Sequence, residues 1–409
     1  MNVKGFYNST MEEFMFFNPT ESIKKGHIAK KISMERLSPF ARKINGFEVA
    51  AYTSGPKFRN GDTLLAKITP CLENGKTAFV DVLDDNEVAF GSSEFIVLRE
   101  KQDISDKEFV YYLAKSPAFR ERAISCMEGT SGRKRVNDKT LKQQILPVPD
   151  IATQRRIAAL LSSLDAKIAL NNRINDNLEQ MAKAVFEQLK IMNYELREKK
   201  LQEIIAENKT GDWGKESEQG NYTKKVTCIR GTDINSMLFG TENKAPERFI
   251  LDKNSHKILQ NGDFIIEISG GSPTQSTGRM VCITDDLLAS YENLLICSNF
   301  CKAISLIDEN LFYYFYFQWQ NWYDSGLFFG YEGKTSGLKN FLFENFANSQ
   351  QIAIPPQEVL HNFNTTIKPL FSMIIKNKRE SEQLSKLRDY LLPLLMNGQV
   401  SVNYHLYDC

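Results

Sequence analysis

The chain has 409 residues, of which 25% are charged and 42% hydrophobic, and its formal net charge is +1 at pH 7. It is long enough for two or more domains with separate cores. Its composition excludes a disordered chain, and no apolar run approaches the ~20 residues of a membrane-spanning helix. The N-terminus is unlike a secretion signal, and the seven cysteines are scattered. We therefore expect a cytoplasmic protein without a disulfide framework or a metal site.

Residues 1–148 are expected to form a mixed α/β domain. The predicted strands are 63–68, 77–82 and 95–99, separated by turns rich in Gly, Asn and Asp. Short helices are predicted at 107–114 and 118–125. Residues 146–149 (Leu-Pro-Val-Pro) are predicted to be extended, because proline disfavours helix at the preceding residue.

A long helix is predicted from 155 to 192. Its apolar residues recur in alternating steps of three and four, which is the pattern of a helix packed lengthwise on another helix. They are Ile157, Leu161, Leu164, Ile168, Leu178, Met181, Val185 and Leu189. Polar Asn171 occupies one position of this apolar seam.

The same pattern returns at an offset of 206 residues in a second predicted helix, 357–395. Its seam residues are Phe363, Ile367, Leu370, Ile374, Leu384, Leu387, Leu391 and Leu395, and Asn377 takes the place of Asn171. Shorter runs of the preceding domain also recur, at offsets of 201 to 205. They are 61–65 with 262–266, 93–95 with 298–300, 111–113 with 313–315, and 130–132 with 335–337.

A helix of about 40 residues with one apolar seam is about 60 Å long and needs a partner in water. We expect the two helices to pack antiparallel, with Asn171 and Asn377 fixing their register at some cost in stability. The predicted fold class is α+β: two mixed α/β globular domains in tandem repeat, separated by two long antiparallel coiled-coil helices, with pseudo-two-fold symmetry. The apolar residues Leu160, Ile174, Met373 and Ile375 complete the core or offer a surface to partner helices.

Basic residues cluster in the first domain and suggest a polyanionic partner. Residues 22–60 contain nine Lys and Arg against two acidic residues, and a second basic run covers 133–142. Two predicted hairpin loops, 69–76 and 269–279, carry side chains suited to base edges. Ordinary hairpin loops and solvated surface charge remain the alternatives. The candidate DNA-binding residues are Lys24, Lys25, Arg59, Thr69, Glu73, Asn74, Lys76, Arg133, Lys134, Arg135, Lys224, Ser272, Thr274, Gln275, Arg279, Lys334, Ser336 and Lys339.

Catalytic motifs are present only in part. Residues 75–77 and 333–335 end as a phosphate-binding loop does, but both lack its leading glycine. Residues 18–20 (Asn-Pro-Thr) lack the second proline and the aromatic residue of the amino-methyltransferase site. Asp150, Asp165 and Lys167 match a nuclease pattern, yet Asp165 and Lys167 fall on the long helix rather than on neighbouring strands around Mg²⁺. We expect no catalytic residue, metal or cofactor in this chain.

Several of these runs resemble the specificity subunits of Type I restriction-modification systems. They are 61–76 (GDTLLAKITPCLENGK), 147–149 (PVP) with 154–158 (QRRIA), 171–175 (NNRIN) and 387–395 (LRDYLLPLL). The second proline pair, 355–356, is not followed by the Gln-Arg pair present at 154–155. Contacts that depend on Gln154 and Arg155 are therefore not expected at the second helix.

The resemblance implies a non-catalytic subunit of a system that defends against foreign DNA. It implies target-recognition domains at 1–148 and 199–354, a central conserved helix at 149–198, and a C-terminal helix and tail at 355–409. Each domain would read one half-site of a bipartite double-stranded target, with the helices as spacer. Two methyltransferase subunits would dock on the helices, and restriction subunits would join them. S-adenosylmethionine, ATP and Mg²⁺ would belong to those partners.

The second domain is net acidic, which is unusual for a domain that binds DNA. Residues 211–356 hold 12 Lys and Arg against 17 Asp and Glu, whereas 1–150 hold 23 against 20. We therefore expect weak DNA affinity from the isolated chain. A stand-alone DNA-binding regulator and a duplicated protein–protein scaffold remain open alternatives.

Overall fold

The computed structural model describes residues 5–130, 132–239, 244–270, 274–335 and 338–402. The chain divides into two compact units. Unit 1 comprises the described part of 1–167 and 384–409, and unit 2 comprises that of 168–383. Each unit contains one globular domain and a stretch of each long helix.

Unit 1 begins with short strands and helices that match the predicted order. Its strands are β1 Phe6–Thr10, β2 Met15–Phe17, β3 Ile28–Ile32, β4 Glu48–Ala51, β5 Lys57–Phe58, β6 Thr63–Ala66, β7 Thr77–Phe79, β8 Ala89–Gly91, β9 Phe95–Glu100, β10 Met127–Glu128, β11 Arg135–Val136 and β12 Ile145–Pro149. Its helices are α1 Met11–Phe14, α2 Lys107–Lys115, α3 Pro117–Ser125, α4 Asp138–Lys142 and the start of α5 Ile151–Ile191. The predicted strands, short helices and extended proline segment are confirmed.

Two four-stranded sheets form the domain of unit 1, with strand orders β2-β9-β6-β7 and β4-β3-β8-β5. The pair β3 and β8 is parallel, and the other neighbours are antiparallel. Strand β6 is buried throughout because both of its faces pack on apolar cores. Strand β1 pairs with β12, which leads directly into the long helix α5.

Unit 2 repeats this arrangement. Its strands are β13 Arg197–Lys200, β14 Ile205–Thr210, β15 Tyr222–Ile229, β16 Glu247–Leu251, β17 Phe264–Glu267, β18 Ser269–Gly270, β19 Met280–Cys282, β20 Leu294–Cys297, β21 Cys301–Leu306, β22 Glu332–Thr335, β23 Leu338–Phe341 and β24 Gln351–Ile354. Its helices are α6 Ile234–Phe239, α7 Asp285–Leu288, α8 Phe312–Asp324, α9 Phe343–Ser349 and α10 Gln357–Met396, whose last part belongs to unit 1.

The sheets of unit 2 correspond to those of unit 1. The four-stranded sheet has the order β14-β21-β17-β19, and a second sheet, β16-β15-β20, again contains one parallel pair, β15 with β20. Strand β13 pairs with β24, which precedes the long helix α10 as β12 precedes α5. The tandem repeat predicted from the sequence is therefore present in the fold.

The recurring Gly-Asp pair explains part of the repeat. Asp62 and Asp263 are buried at 1% and 2% exposure, immediately before a core strand. Each accepts a backbone hydrogen bond that closes its turn, from Arg59 N at 2.9 Å and from Gln260 N at 2.8 Å. A neighbouring cation balances each buried charge, Arg99 for Asp62 and Lys209 for Asp263. The repeated aspartate is thus a structural turn residue.

The long helices α5 and α10 run antiparallel where they meet in unit 2. Asn171 donates to Asn377 O at 3.3 Å, to Ser381 Oγ at 3.3 Å and to Glu380 Oε2 at 2.8 Å. Four residues further along α5, Asn175 donates to Ile374 O at 3.1 Å. Partner numbers fall as α5 advances, so the predicted antiparallel packing is confirmed there.

Two of the residues predicted to lie in the apolar seam are exposed, so the prediction is wrong for them. Met181 and Leu387, which occupy equivalent places in the two helices, are 54% and 45% exposed. The following residues, Ala182 and Arg388, are buried in their place. A straight helix has 3.6 residues per turn, so its buried face drifts from a strict seven-residue repeat over this length.

Gln154 contributes to the structure of unit 1. It is fully buried, donates to the carbonyls of Ile104 and Pro149 at 2.9 Å each, and accepts from Asp106 N at 3.0 Å. Its counterpart in the repeat, Leu360, is equally buried but apolar. The Gln-Arg pair therefore contributes a structural glutamine that the second helix replaces with packing. Within the described ranges, no helix is both long and apolar enough to cross a bilayer.

Candidate nucleic-acid interface

In unit 1 the loop from β6 to β7 is a closed, well-braced turn. Ala66 N donates to Lys76 O at 3.1 Å, and Asn74 N donates to Pro70 O at 2.9 Å. Gly75 has φ +69°, and a Cβ there would lie 2.5 Å from the ring of Phe40, so only glycine fits. This geometry leaves the side chains of Glu73 and Asn74 exposed at the tip.

Lys76 of this loop makes an internal contact. Its Nζ donates to Met34 O at 3.0 Å, and its side chain is only partly exposed. The neighbouring Thr69 is also partly buried, with its N–H donating to Lys134 O at 3.0 Å. Contact of Lys76 with DNA stays a prediction, and the structure gives this lysine a bracing role.

An arginine–glutamate pair lies beside the same loop. Arg135 Nε is 2.9 Å from Glu94 Oε2, and its Nη2 is 2.7 Å from Oε1. Arg135 remains 49% exposed and Glu94 23%. The hydrogen bonds from Arg135 lower the pKa of the Glu94 carboxyl below its ordinary value. Glu94 precedes β9, which pairs with β6, so the pair lies at the loop end of the four-stranded sheet.

The basic cluster at 22–60 is partly neutralised within the chain. Lys30 pairs with Asp84 and Glu87, and Arg42 is held by Glu108 above the ring of Phe79. A smaller set of cations is exposed and has no ion-pair partner among the residues that the structure describes. Among the candidate DNA-binding residues, this set comprises Lys24, Lys25, Arg59, Arg133 and Lys134.

In unit 2 the equivalent loop joins β17 to β19. Its base is closed by Glu267 N donating to Arg279 O at 2.9 Å, as in unit 1. Its return strand is fixed by Trp319, whose Nε1 donates to Gly278 O at 2.7 Å. Gly278 has φ +99°, and a Cβ there would lie 2.8 Å from the ring of Phe328. Trp319 of α8 and the ring of Phe328 thus hold the end of the loop in place.

A second arginine–glutamate pair lies at the base of this loop. Arg279 Nε is 2.8 Å from Glu267 Oε2, and its Nη2 is 2.6 Å from Oε1. The Glu267 side chain is 5% exposed and lies close to Gly231 and Gly270, where a Cβ would come within 2.8 and 3.1 Å of its Oε1. The hydrogen bonds to Glu267 raise the pKa of the Arg279 guanidinium above its ordinary value.

The pair faces an open cavity of about 750 Å³. Trp213, Phe300 and Leu338 contribute apolar surface, and Arg230 lies on its wall with Arg279. Arg230 is held by Asp233 in the same side-on manner, at 2.8 Å from each oxygen. A concave surface with apolar walls and a few fixed polar groups is typical of a binding site.

The remaining candidates of unit 2 have varied environments. Lys224 is 3.3 Å from Asp252, and Lys339 is 3.3 Å from Glu332, so both have partners within the unit. Thr274 and Gln275 are exposed at the loop. Ser272, Ser336 and the side chain of Lys334 lie outside the described residues.

Sequence reasoning missed the partners of the two arginines and the cavity wall. Glu94 and Phe300 belong to the repeated runs 93–95 and 298–300, so the repeat itself was the available signal. Nothing in the sequence showed that Trp213 would lie beside Arg279. Within the described ranges, no group of three or more His, Cys, Asp and Glu could hold a metal ion.

The comparisons with known proteins agree on one family. The family described as "Type I restriction modification DNA specificity domain" matches residues 22–180. The MjaIX specificity subunit of Methanocaldococcus jannaschii is 25% identical over 316 residues, covering 72% of this chain and 69% of that protein. The EcoAI specificity subunit of Escherichia coli is 30% identical over 167 residues, 39% of this chain, but this match spans only 28% of that relative's length.

The fold agrees as well. The crystal structure of the Type I restriction-modification S subunit from M. genitalium superposes with a TM-score of 0.61. That similarity covers 96% of each chain at 17% identity, so it concerns the fold. Residues 22–180 thus match the Type I specificity-domain family, and the chain over most of its length is similar in sequence to a Type I specificity subunit and in fold to another.

Proposed function

We propose that this chain is the recognition subunit that reads a bipartite double-stranded DNA target, one half-site with each domain. The observation that carries the proposal is the loop that recurs at the same end of the same sheet in both units, closed by equivalent backbone bonds. Each loop carries exposed polar side chains and lies beside an arginine held by a carboxylate. The loops differ in sequence, as two readers of different half-sites require.

The helices α5 and α10 would set the spacing and carry the partner subunits. A set of large apolar side chains is exposed on them, although their buried faces are filled. The set is Leu170, Met181, Ile191, Met373, Leu387 and Tyr390. Exposed apolar residues on helices are suited to docking, and we propose two methyltransferase subunits as the occupants.

The chemistry would belong to those partners. Asp165, which resembled a nuclease residue, accepts hydrogen bonds from Tyr112 at 2.7 Å and Arg388 at 2.6 Å, and is 8% exposed. It has a structural environment rather than an open catalytic one. S-adenosylmethionine for adenine methylation, and ATP and Mg²⁺ for restriction subunits, are proposed as ligands of the partners, in the cytoplasm.

Binding of DNA by the isolated chain is expected to be weak. Among the candidate DNA-binding residues whose side chains the structure describes, the exposed cations without an ion-pair partner lie in unit 1, whereas Lys224, Arg279 and Lys339 of unit 2 are paired. Residues 211–356 are also net acidic. Since phosphate contacts supply most of the non-specific affinity, the methyltransferase subunits would provide much of it.

An electrophoretic mobility-shift assay separates this proposal from its alternatives. The chain alone and the chain with its methyltransferase are titrated onto a genomic fragment that the complex methylates. We expect tight, sequence-dependent binding from the complex and weak binding from the chain alone. Tight binding to one site by the chain alone favours a stand-alone regulator. Unchanged binding by the complex after Lys24, Lys25, Arg133 and Lys134 are replaced by Ala favours a protein scaffold.

A further inference from the structure

We propose that Arg135 and Arg279 are the guanine-reading residues of units 1 and 2, each oriented by a glutamate, Glu94 and Glu267. The inference rests on the proposed function and adds which side chains read which base. The sequence repeat pairs Arg279 with Lys76 instead, because both precede the returning strand of their loop. The structure separates these two residues by the contacts they make.

The two arginines use the same edge of the guanidinium to hold their glutamate. In each, Nε and Nη2 point at the carboxylate, at 2.6 to 2.9 Å in the shortest contacts. Nη1 has no acceptor among the residues that the structure describes. The end of the guanidinium, with one N–H from Nη1 and one from Nη2, is therefore available as a two-pronged donor.

Other carboxylate-bound arginines lack this open end. Arg99 uses Nε and Nη2 on Asp62 and Nη1 on Glu21, and is buried. Arg230 uses Nε and Nη2 on Asp233, and its Nη2 also donates to Lys244 O at 2.9 Å. Arg99 lies at the end of β9 opposite the loop and outside the cavity of unit 2, which makes it the control for loss of a carboxylate-bound arginine.

We assign Arg135 rather than Lys76 as the reader of unit 1 because Lys76 makes a contact within the chain. Its ammonium is bound to Met34 O and holds the loop. Arg135 lies on β11, forms a backbone bridge with Ile68 at the start of the loop, and is half exposed. Arg279 is less exposed, 18%, but lines the open cavity of unit 2.

The free edge of each guanidinium is complementary to guanine rather than to adenine. Guanine presents two acceptors, O6 and N7, in the major groove, whereas adenine presents one acceptor and one donor. A guanidinium has donors only, so its two-pronged edge matches guanine and opposes adenine. A carboxylate behind the arginine fixes its direction before binding, which reduces the ordering cost of the contact.

The test uses the complete complex of this chain with its methyltransferase. First, the methylated motif is determined for the wild type and for Arg135→Lys, Arg279→Lys and the control Arg99→Lys. Lysine keeps the charge but loses the fork. We expect Arg279→Lys to lose discrimination at one guanine of one half-site, Arg135→Lys at one guanine of the other, and Arg99→Lys to keep the motif.

The second measurement needs no variant. Each guanine of a target duplex is replaced in turn by 7-deazaguanine, which lacks the N7 acceptor, and binding of the wild-type complex is measured. We expect about 5- to 150-fold weaker binding at one guanine in each half-site. In Arg279→Lys the same replacement in its half-site should have no further effect.

Three results overturn the inference: a wild-type complex insensitive to 7-deazaguanine everywhere, Arg279→Lys and Arg135→Lys complexes that weaken equally on all sequences, or a change of motif in the Arg99 control. Equal weakening would mean phosphate contact or a structural role. If the wild-type complex methylates no sequence that depends on this chain, the proposed function itself fails, which is a different outcome.

Discussion

Arg388 Nη1 donates to Asp165 Oδ1 over 2.6 Å, and this ion pair joins the two long helices within unit 1. Both side chains are about nine-tenths buried. Tyr112 of α2 donates to the other Asp165 oxygen at 2.7 Å, so the globular domain of unit 1 is tied to the same carboxylate. At the equivalent places of the repeat, unit 2 has Phe371 and Ala182. One junction is polar and the other is aromatic.

Removing one member of the polar junction should be costly. We expect Asp165→Ala to destabilise the chain by about 3–5 kcal/mol, because it leaves the Arg388 charge buried without its partner. Replacing both residues by leucine should cost less than the single change. Thermal unfolding of the full chain measures both, with Asp176→Ala on the exposed side of α5 as control. Equal midpoints for Asp165→Ala and the control would contradict the role given to this pair.

The same junction predicts a pH dependence. Burial and the adjacent Arg388 lower the pKa of Lys115 to about 8, although Asp165 and Asp389 oppose the shift. Burial likewise lowers the pKa of Lys378 to about 8 in unit 2, where its ammonium donates to the carbonyls of Ser236 and Met237. Above pH 8 the unfolded chain therefore binds more protons than the folded chain, so stability rises with pH.

We expect each lysine to contribute about 2 kcal/mol more stability at pH 9.5 than at pH 7.5. Comparing the unfolding midpoint of the wild type at the two pH values with that of Lys115→Met, Lys378→Met and the double variant measures this. Each single replacement should remove part of the rise and the double replacement most of it. A rise of the same size in the double variant would assign it to other groups.

The asparagines between the helices give a prediction about register. Asn171 is fully buried, and Asn377 Nδ2 donates to Asn175 Oδ1 at 2.9 Å. Polar residues at such positions fix register at a cost in stability. Changing Asn171 and Asn377 to leucine should raise the unfolding midpoint while the methylated motif acquires more than one spacer length. A lower midpoint with an unchanged spacer would show that the asparagines stabilise the helix pair through their hydrogen bonds and do not set its register.

The exposed apolar side chains of the helices should matter for assembly and little for folding. We expect Met181→Glu and Leu387→Glu to weaken association with the methyltransferase by at least tenfold, with little change in the unfolding midpoint. Asn172→Glu, on an exposed part of α5, is the matched control. Size-exclusion chromatography with light scattering measures the assembly. Unchanged assembly by both variants would place the methyltransferase elsewhere.

The sequence predicted the long helices and the core strands better than the contacts of the site residues. Residues 155–192 and 357–395 were identified from apolar spacing because two long helices repeat one pattern, and the strands β6, β7 and β9 followed from alternation and turns. The exposure of Met181 was missed because a strict seven-residue pattern ignores helical drift. The buried role of Asp165 was also missed, since its partners Tyr112 and Arg388 are remote in sequence and pairing across a fold leaves no local signal.

The site residues show the same limit. Arg279 was selected for its residue type and its place in a loop, whereas Glu267 and Glu94 were not, because an orienting carboxylate is recognised only by its distance to the arginine. Lys76 had the right type and position, yet its ammonium is used within the chain. The residue type determines what a side chain can bind, and the tertiary fold determines whether that side chain is available to a ligand.

The division of labour between domains can be tested by exchange. Replacing residues 1–148 by the corresponding domain of another specificity subunit should change one half-site of the methylated motif and leave the other half-site and the spacer as they were. The reciprocal exchange of 199–354 should change the other half-site. A change in both half-sites from either exchange would mean that the domains do not read independently.

The central claim is tested most directly by sequencing the methylated genome of cells that express this chain with its methyltransferase. We predict one interrupted motif, with two unlike half-sites separated by a spacer of fixed length, an adenine methylated in each half-site, and no methylation when this chain is omitted. A continuous palindromic motif, or methylation that persists without this chain, would contradict the account.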